Sequence, residues 1–172
     1  AWLRKHLADL RPKQTVVVGA HVPYQGQPHL IVEAKVRRTT IKDGRIYVPA
    51  GKDAAVQVKA LMRVHARDAL VASSDRYAAQ LGRKYTRLTL RDTRSRWGSC
   101  TSQGGLMYSW RLIMAPREVL EYVAAHECAH MIEANHSAAF WAVCDRIFDD
   151  VKGAKRWLSK NGPILHAVGA EF

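Results

Sequence analysis

His126-Glu127-Cys128-Ala129-His130 is the stretch that leaves this chain the fewest alternatives. On an α-helix, residues four apart stand about 40° apart around the axis and one turn along it. His126 and His130 can therefore turn both imidazoles to one cation. Glu127 falls roughly 80° from the midpoint of the pair, too far round to ligate easily and well placed to reach a water on the metal. Such a helix needs an apolar back and a cleft in front. Pro116 suits a first helical turn, and the spacing predicts a helix from there to about Glu133. Leu120, Ala124, Cys128, Met131 and Ile132 supply its apolar stripe. Cys128 faces nearly opposite the two histidines and reads as core.

A catalytic zinc takes three protein ligands and keeps one position open. His136 is the expected third ligand. Asn135 tolerates the left-handed conformation that ends helices, so the chain can fold His136 back over the cation. Glu133, one turn beyond His130, is the rival, and His166 a more distant one.

The rest of the composition narrows the setting. A chain of 172 residues suits one domain over residues 1–172. No apolar run approaches the ~20 residues of a membrane span. The opening Ala1-Trp2-Leu3-Arg4-Lys5-His6 is no secretory signal, and its lack of Met predicts a truncated or processed N-terminus. Three cysteines, Cys100, Cys128 and Cys144, form no Cys-x-x-Cys pair, which fits a reducing, cytoplasmic setting and argues against a thiolate zinc site. The net charge of +12 is uneven: residues 1–100 hold 20 Lys and Arg against 7 Asp and Glu, and residues 101–172 hold 7 against 8. That asymmetry suggests a polyanion such as DNA contacting the basic residues of 1–100; a solvated basic face is the plainer reading.

Along the chain, Trp2–Leu10 reads as a short helix and residues 14–49 as a basic, β-rich subregion. Gln14–Gly19, His21–Tyr24, His29–Val36, Thr39–Lys42 and Arg45–Pro49 are its expected strands, the last two joined by an Asp43-Gly44 turn. Asp53 is the N-cap of a long helix to about Leu81, stopped by Gly82. Val56, Ala60, Leu61, Val64, Leu70, Val71 and Tyr77 are its apolar positions. Arg83–Thr93 alternates apolar and basic residues as a strand. Residues 94–105 read as a loop by their Gly and Ser content, and Leu106–Ile113 as another strand. Ser137 caps a helix with Phe140, Cys144, Ile147, Phe148 and Val151 inward. A last short helix, Lys155–Lys160, is expected to end at Gly162-Pro163.

Several of these residues together resemble a known family. Arg94-Ser95-Arg96-Trp97-Gly98-Ser99-Cys100, Trp110-Arg111-Leu112-Ile113, Tyr122-Val123 before His126-Glu127-Cys128-Ala129-His130, then Asn135-His136-Ser137 and Phe140-Trp141, look like the YgjP-like metallopeptidases, which are related to the SprT-like and WLM zinc proteases. The resemblance is dense over residues 94–141 and looser on either side. Ser109 stands where the family often has Asn, and Cys128 where it usually has Leu; neither departure removes a ligand or the base. The resemblance implies an α+β, minimal zincin-like fold: a small antiparallel sheet packed on a long helix and on the helix that carries the HExxH motif. It implies Zn2+ on His126, His130 and His136, with Glu127 as general base. Kinship to SprT-like proteases implies substrates crosslinked to or associated with DNA.

The function expected from these readings is a monomeric zinc-dependent endopeptidase, in which a metal-activated water attacks the peptide carbonyl and Glu127 takes and returns the proton. Tyr108, Arg96 and His21 are candidates for a second oxyanion donor. A substrate strand is expected on the edge of the sheet formed by residues 106–113. The alternative is a nucleic-acid-binding module with a structural or vestigial zinc site; a third reading is a zinc hydrolase with a substrate other than peptide.

Overall fold

A computed structural model describes residues 14–169; the expected helix at Trp2–Leu10 lies outside them. The fold is α+β, with two small sheets and four helices among the described residues. The first sheet contains β1 (His21–Tyr24), β2 (Gln27–Ala34), β3 (Thr40–Lys42) and β4 (Arg45–Pro49) in the order β1-β2-β4-β3. Two tight hairpins form where the sequence places turn residues. Asp43 and Gly44 both take positive φ (50° and 71°), the backbone of a two-residue turn whose twist matches the strands. The sheet is mixed, not wholly antiparallel as expected, because β2 and β4 run parallel through the pair Ile31 and Ile46. Hairpin signals specify neighbours joined by a turn; the β2–β4 pairing comes from burying Ile31 and Ile46 together, both almost fully enclosed.

Gln14–Gly19 is not a strand: Gln14 makes a single parallel bridge to Val168. Of its valines only Val16 is buried, while Val17 and Val18 stay about half exposed. Consecutive branched residues favour extended backbone, but these have no strand partner to complete a ladder.

Helix α1 (Ala54–Gln80) begins where Asp53 accepts a hydrogen bond from Val56 N at 3.0 Å and ends at Gly82, φ 64°. Its buried face is Val58, Met62, Ala66 and Leu70, spaced by four. Val56 and Val64, expected inside, are 60% and 58% exposed. Apolar residues lie all round this helix, so periodicity alone does not select the face; the neighbours do.

The second sheet holds β5 (Arg87–Arg91), β6 (Gly98–Cys100) and β7 (Gly105–Ser109) in the order β5-β7-β6. β5 is parallel to β7, and β6 is antiparallel to it. Two expectations change here. Residues 94–105 are not all loop, since β6 lies among them. The strand expected over Leu106–Ile113 ends at Ser109, and Trp110–Met114 is a 3₁₀ turn, every residue of it buried. Ser109 marks the switch by accepting, through its hydroxyl, from Arg111 N.

Helices α2 (Arg117–Ala129), α3 (Ala138–Ile147) and α4 (Val151–Ala167) complete the chain. α4 does not stop at Gly162-Pro163. Gly162 keeps helical backbone and is small because Trp97 packs on it: a Cβ there would stand 3.0 Å from the indole. The end of α4 is held by Arg111, itself buried. Its guanidinium donates to Asp92 at 2.6 and 3.1 Å and to the carbonyls of Leu165 and Val168 at 2.9 and 2.5 Å. A fifth, longer bond runs to the carbonyl of Gly169 at 3.5 Å, so all five N–H donors have partners, which offsets the cost of burying the charge.

One continuous apolar cluster joins both sheets to the helices. The β1–β2 hairpin tip docks on the turn that leads into α2: Gln25 N and Gly26 N donate to the carbonyls of Ile113 and Met114 at 2.8 and 3.0 Å. Gly26 also sits so close to Pro116 that a Cβ would meet its ring at 2.9 Å. The first sheet therefore fixes where α2 starts.

Candidate active site

α2 follows its N-cap Pro116 and ends at Ala129, four residues earlier than the apolar pattern suggests. His130 is its C-cap but keeps right-handed helical backbone (φ −64°, ψ −15°), so the one-turn relation of His126 to His130 survives the helix end. The chain then turns, and Ser137 opens α3 by accepting from Phe140 N at 3.3 Å. His136 is thus carried on the last residue before a capped helix. Its Nε2 lies 3.0 Å from Nε2 of His126 and 3.2 Å from Nε2 of His130.

Those separations test whether the set fits a metal. Imidazole nitrogens about 2.0–2.1 Å from a tetrahedral zinc would be roughly 3.3 Å apart, close to what is found. The three residues form the only His/Cys/Asp/Glu group with metal-holding spacing among the described residues. Their tautomers suit ligation too. Nδ1 of His130 lies 3.0 Å from the carbonyl oxygen of Glu133, which can only accept, so the proton is on Nδ1 and Nε2 is bare. Nδ1 of His126 is 3.3 Å from the Tyr122 hydroxyl. Such outer partners set ring orientation and ligand basicity. Burial, with the neighbouring imidazoles, holds His126 down to about 3, and burial lowers His130 as well. Both are neutral and able to donate lone pairs at physiological pH.

The fully buried ring of Phe140 backs the cluster, with centroids 4.4–4.9 Å from all three imidazoles. Trp141 stacks on His136 at 5.6 Å and 22°, and Lys155 Nζ sits 4.0 Å over the other ring system's centroid, that of Trp141. One helical turn, Phe140-Trp141, therefore packs on His136, the member of the trio that lies outside α2.

Glu127 is 6% exposed. Burial pushes its carboxyl up to about 8, against the opposing pull of the Arg96 charge. The carboxyl lies against Gly98 of β6: a Cβ there would be 2.7 Å from its Cγ and Oε1. Gly98, Cys100, His126, Glu127, His130 and His136 line a common cleft of about 380 Å³, many times the ~30 Å³ share of one water, so it admits a substrate segment.

The sequence candidates sort as follows. His126, His130, His136 and Glu127 come together. Glu133 contributes a backbone carbonyl to His130, and its carboxylate is not in the cluster. His166 stacks on Trp97 at 4.5 Å and is no part of the set. Tyr108 does not reach the cleft: it is fully enclosed and bonded to Ser74 at 3.0 Å, because β7 is central and its inward residues face α1. His21 is an exposed residue of the first sheet and does not line the cleft. Arg96 is exposed but close enough to act on the Glu127 carboxyl. The expected substrate edge also moves. β7 is flanked on both sides, and the open edge at the cleft is β6. Trp97 O accepts from Ser109 N, and Thr101 N donates to Gly105 O, each at 2.9 Å. By alternation the backbone groups of Gly98 and Cys100 point the other way, outward. Composition hid this strand, three residues long among Gly, Ser and Thr.

No curated protein sequence matches the chain. Among solved structures, the crystal structure of the metallopeptidase zymogen of Pyrococcus abyssi abylysin aligns at a TM-score of 0.48 with 18% identity, over 53% of this chain and 93% of that one. The family model described as YgjP-like, metallopeptidase domain, matches residues 1–161. With nearly the whole length matched, the chain belongs to the YgjP-like metallopeptidase family and is a peptidase, a hydrolase of protein or peptide substrates.

Proposed function

We propose that the protein is a zinc-dependent endopeptidase in which His126, His130 and His136 hold the metal and Glu127 is the general base. The observation that carries this reading is the convergence of three Nε2 atoms, 3.0 and 3.2 Å from His136 Nε2 to the other two, beside a buried carboxyl on one cleft. A divalent cation there supplies Lewis acidity, lowering the pKa of water toward ~7 and polarising a carbonyl. Glu127 takes the proton from the attacking water and returns it to the leaving amine. Gly98 and Cys100 pair with an extended substrate and lay its scissile bond across the cleft. Arg96 favours the ionised form of Glu127. A structural zinc is the weaker reading, because such sites are closed sets rich in Cys and this set opens on a cleft. The concentration of positive charge in residues 1–100 supports the narrower reading that the substrates include proteins held on DNA.

The test is Glu127→Gln. Zinc content by elemental analysis should equal that of the wild type, and cleavage of an unfolded protein should fall at least ~10²-fold, the scale of a lost general base. Full cleavage by the variant would remove Glu127 from the role, and a wild type that takes up no zinc would remove the metal.

A further inference from the structure

The second sheet has two faces. Gly98 and Cys100 look toward α2 and the cleft; the residues between them and their neighbours look away. On that outer face Arg87, Thr89 and Arg91 of β5 stand in alternate positions, all exposed. Arg96 reaches the same face from the β5–β6 loop, whose turn is closed by the Thr93 hydroxyl donating to Arg96 O at 2.7 Å. Together with Ser99 and Thr101 these line one groove of about 410 Å³. Thr89 also lines the adjoining groove, where Arg63 and Arg67 of α1 face Leu88 and Leu90. The result is a track of five guanidinium groups. No lining residue of either groove is acidic, and none of the five is in a salt bridge among the described residues.

We propose that this outer face docks the phosphate backbone of duplex nucleic acid. Of the five, only Arg96 also feels a carboxylate among the described residues, that of Glu127; exposed arginines in grooves lined by no acidic residue repel one another, a cost offset when phosphates sit between them. Guanidinium groups match phosphate oxygens in paired hydrogen bonds. Arg87 and Arg91 are four residues apart on a strand, about 13 Å, so they engage separate phosphates. No aromatic side chain lines the groove. That removes the stacking platform on which single strands are held and leaves backbone contact without base readout. The track also meets the active site: Ser99 and Thr101 line both the basic groove and the metal cleft. A duplex on this face lies beside the cleft and presents whatever protein it carries. This rests on the reading that DNA-held proteins are among the substrates, and it names the surface that recruits them.

The experiment measures binding of a fluorescent 20-base-pair duplex of arbitrary sequence by anisotropy, from 50 to 200 mM salt. Arg87→Glu/Arg91→Glu is set against Arg37→Glu/Arg38→Glu, an equal charge change on an exposed turn of the other sheet. About four phosphate contacts give a log–log salt slope near −4. The Arg87/Arg91 variant should bind at least tenfold more weakly with a slope near −2, while the Arg37/Arg38 variant stays within about threefold of wild type. Both should cleave free casein as the wild type does, which also reports that they fold; Arg87→Gln/Arg91→Gln replaces the reversal if it does not. Equal weakening by both double variants overturns the assignment to this face and leaves DNA recruitment standing. A wild type that binds no duplex overturns both. Tighter binding of the matching single strand, or displacement of the duplex by polyglutamate at equal charge concentration, overturns the choice of occupant.

Discussion

The carboxyl of Glu127 rests against the bare Cα of Gly98, so the edge strand β6 and helix α2 meet with no side chain of Gly98 between them. Two consequences join at this contact. It walls the carboxyl from solvent, which raises its proton affinity, and it sets the height of the β6 backbone over the cleft.

Gly98→Ala should therefore separate catalysis from metal binding. The added methyl cannot share the space 2.7 Å from Glu127, so the carboxyl or the strand must shift by a fraction of an ångström or more. A displacement of that order costs about 10²-fold in rate when it misaligns reacting groups. The expected result is a fall of ~10–10² in kcat with zinc stoichiometry kept. An unchanged kcat would show that the close approach has no catalytic role.

His136, the proposed ligand outside α2, depends on different packing. Trp141 stacks on His136 and is itself covered by Lys155. Removing the indole in Trp141→Ala frees the imidazole to rotate away from the other two. Zinc affinity, measured by competition with a chromogenic chelator, should drop ~10–100-fold, as loss of an outer support does. Affinity within twofold of wild type would mean the Ser137 cap alone orients His136.

What was legible in the sequence was whatever is written in local backbone chemistry. Asp43-Gly44, Asp53, Gly82 and Ser137 mark a turn, a cap, a stop and a cap, and each does so in the structure. The placing of His126, Glu127 and His130 follows from helix geometry alone. His136 joins them by another route than the expected one: the helix ends at Ala129, and Asn135 does not take the left-handed backbone that was to fold His136 back. What was hidden depends on contacts between distant segments. β6 is a strand because β7 pairs with it, not because Gly98-Ser99-Cys100 favours extended backbone. Gly162 looks like a helix stop but is an accommodation to Trp97, 65 positions away in the chain. The same distance effect explains Tyr108: a strand residue with a polar tip is a fair oxyanion candidate until the sheet order puts it at the centre, against Ser74. Tyr122 and Phe140, which pack on the imidazoles, were visible as part of the family resemblance, but nothing local to the chain assigns them that contact.

Arg111 and Asp92 yield a prediction about stability as a function of pH. Burial alone would raise the Asp92 carboxyl, but two hydrogen bonds and the charge of Arg111 overrule it and hold it below the ordinary range. A group whose folded pKa is depressed stabilises the fold fully above its unfolded value, about 3.9, and loses that contribution as pH falls through the folded value. Asp92→Asn keeps the shape and removes the charge, leaving the buried guanidinium without its counterion. The variant should be less stable by about 1–3 kcal/mol at pH 7, the range for a hydrogen bond to a charged group. The gap in Tm between wild type and variant should stay constant from pH 8 to 5 and close below pH ~4, as the wild-type carboxyl itself becomes neutral. Thermal melts of the two proteins at pH 7, 5 and 3 check this. A gap as wide at pH 3 as at pH 7 would show that the loss comes from shape and not from the ion pair, and the clamp on the end of α4 would then rest on the carbonyls of Leu165, Val168 and Gly169.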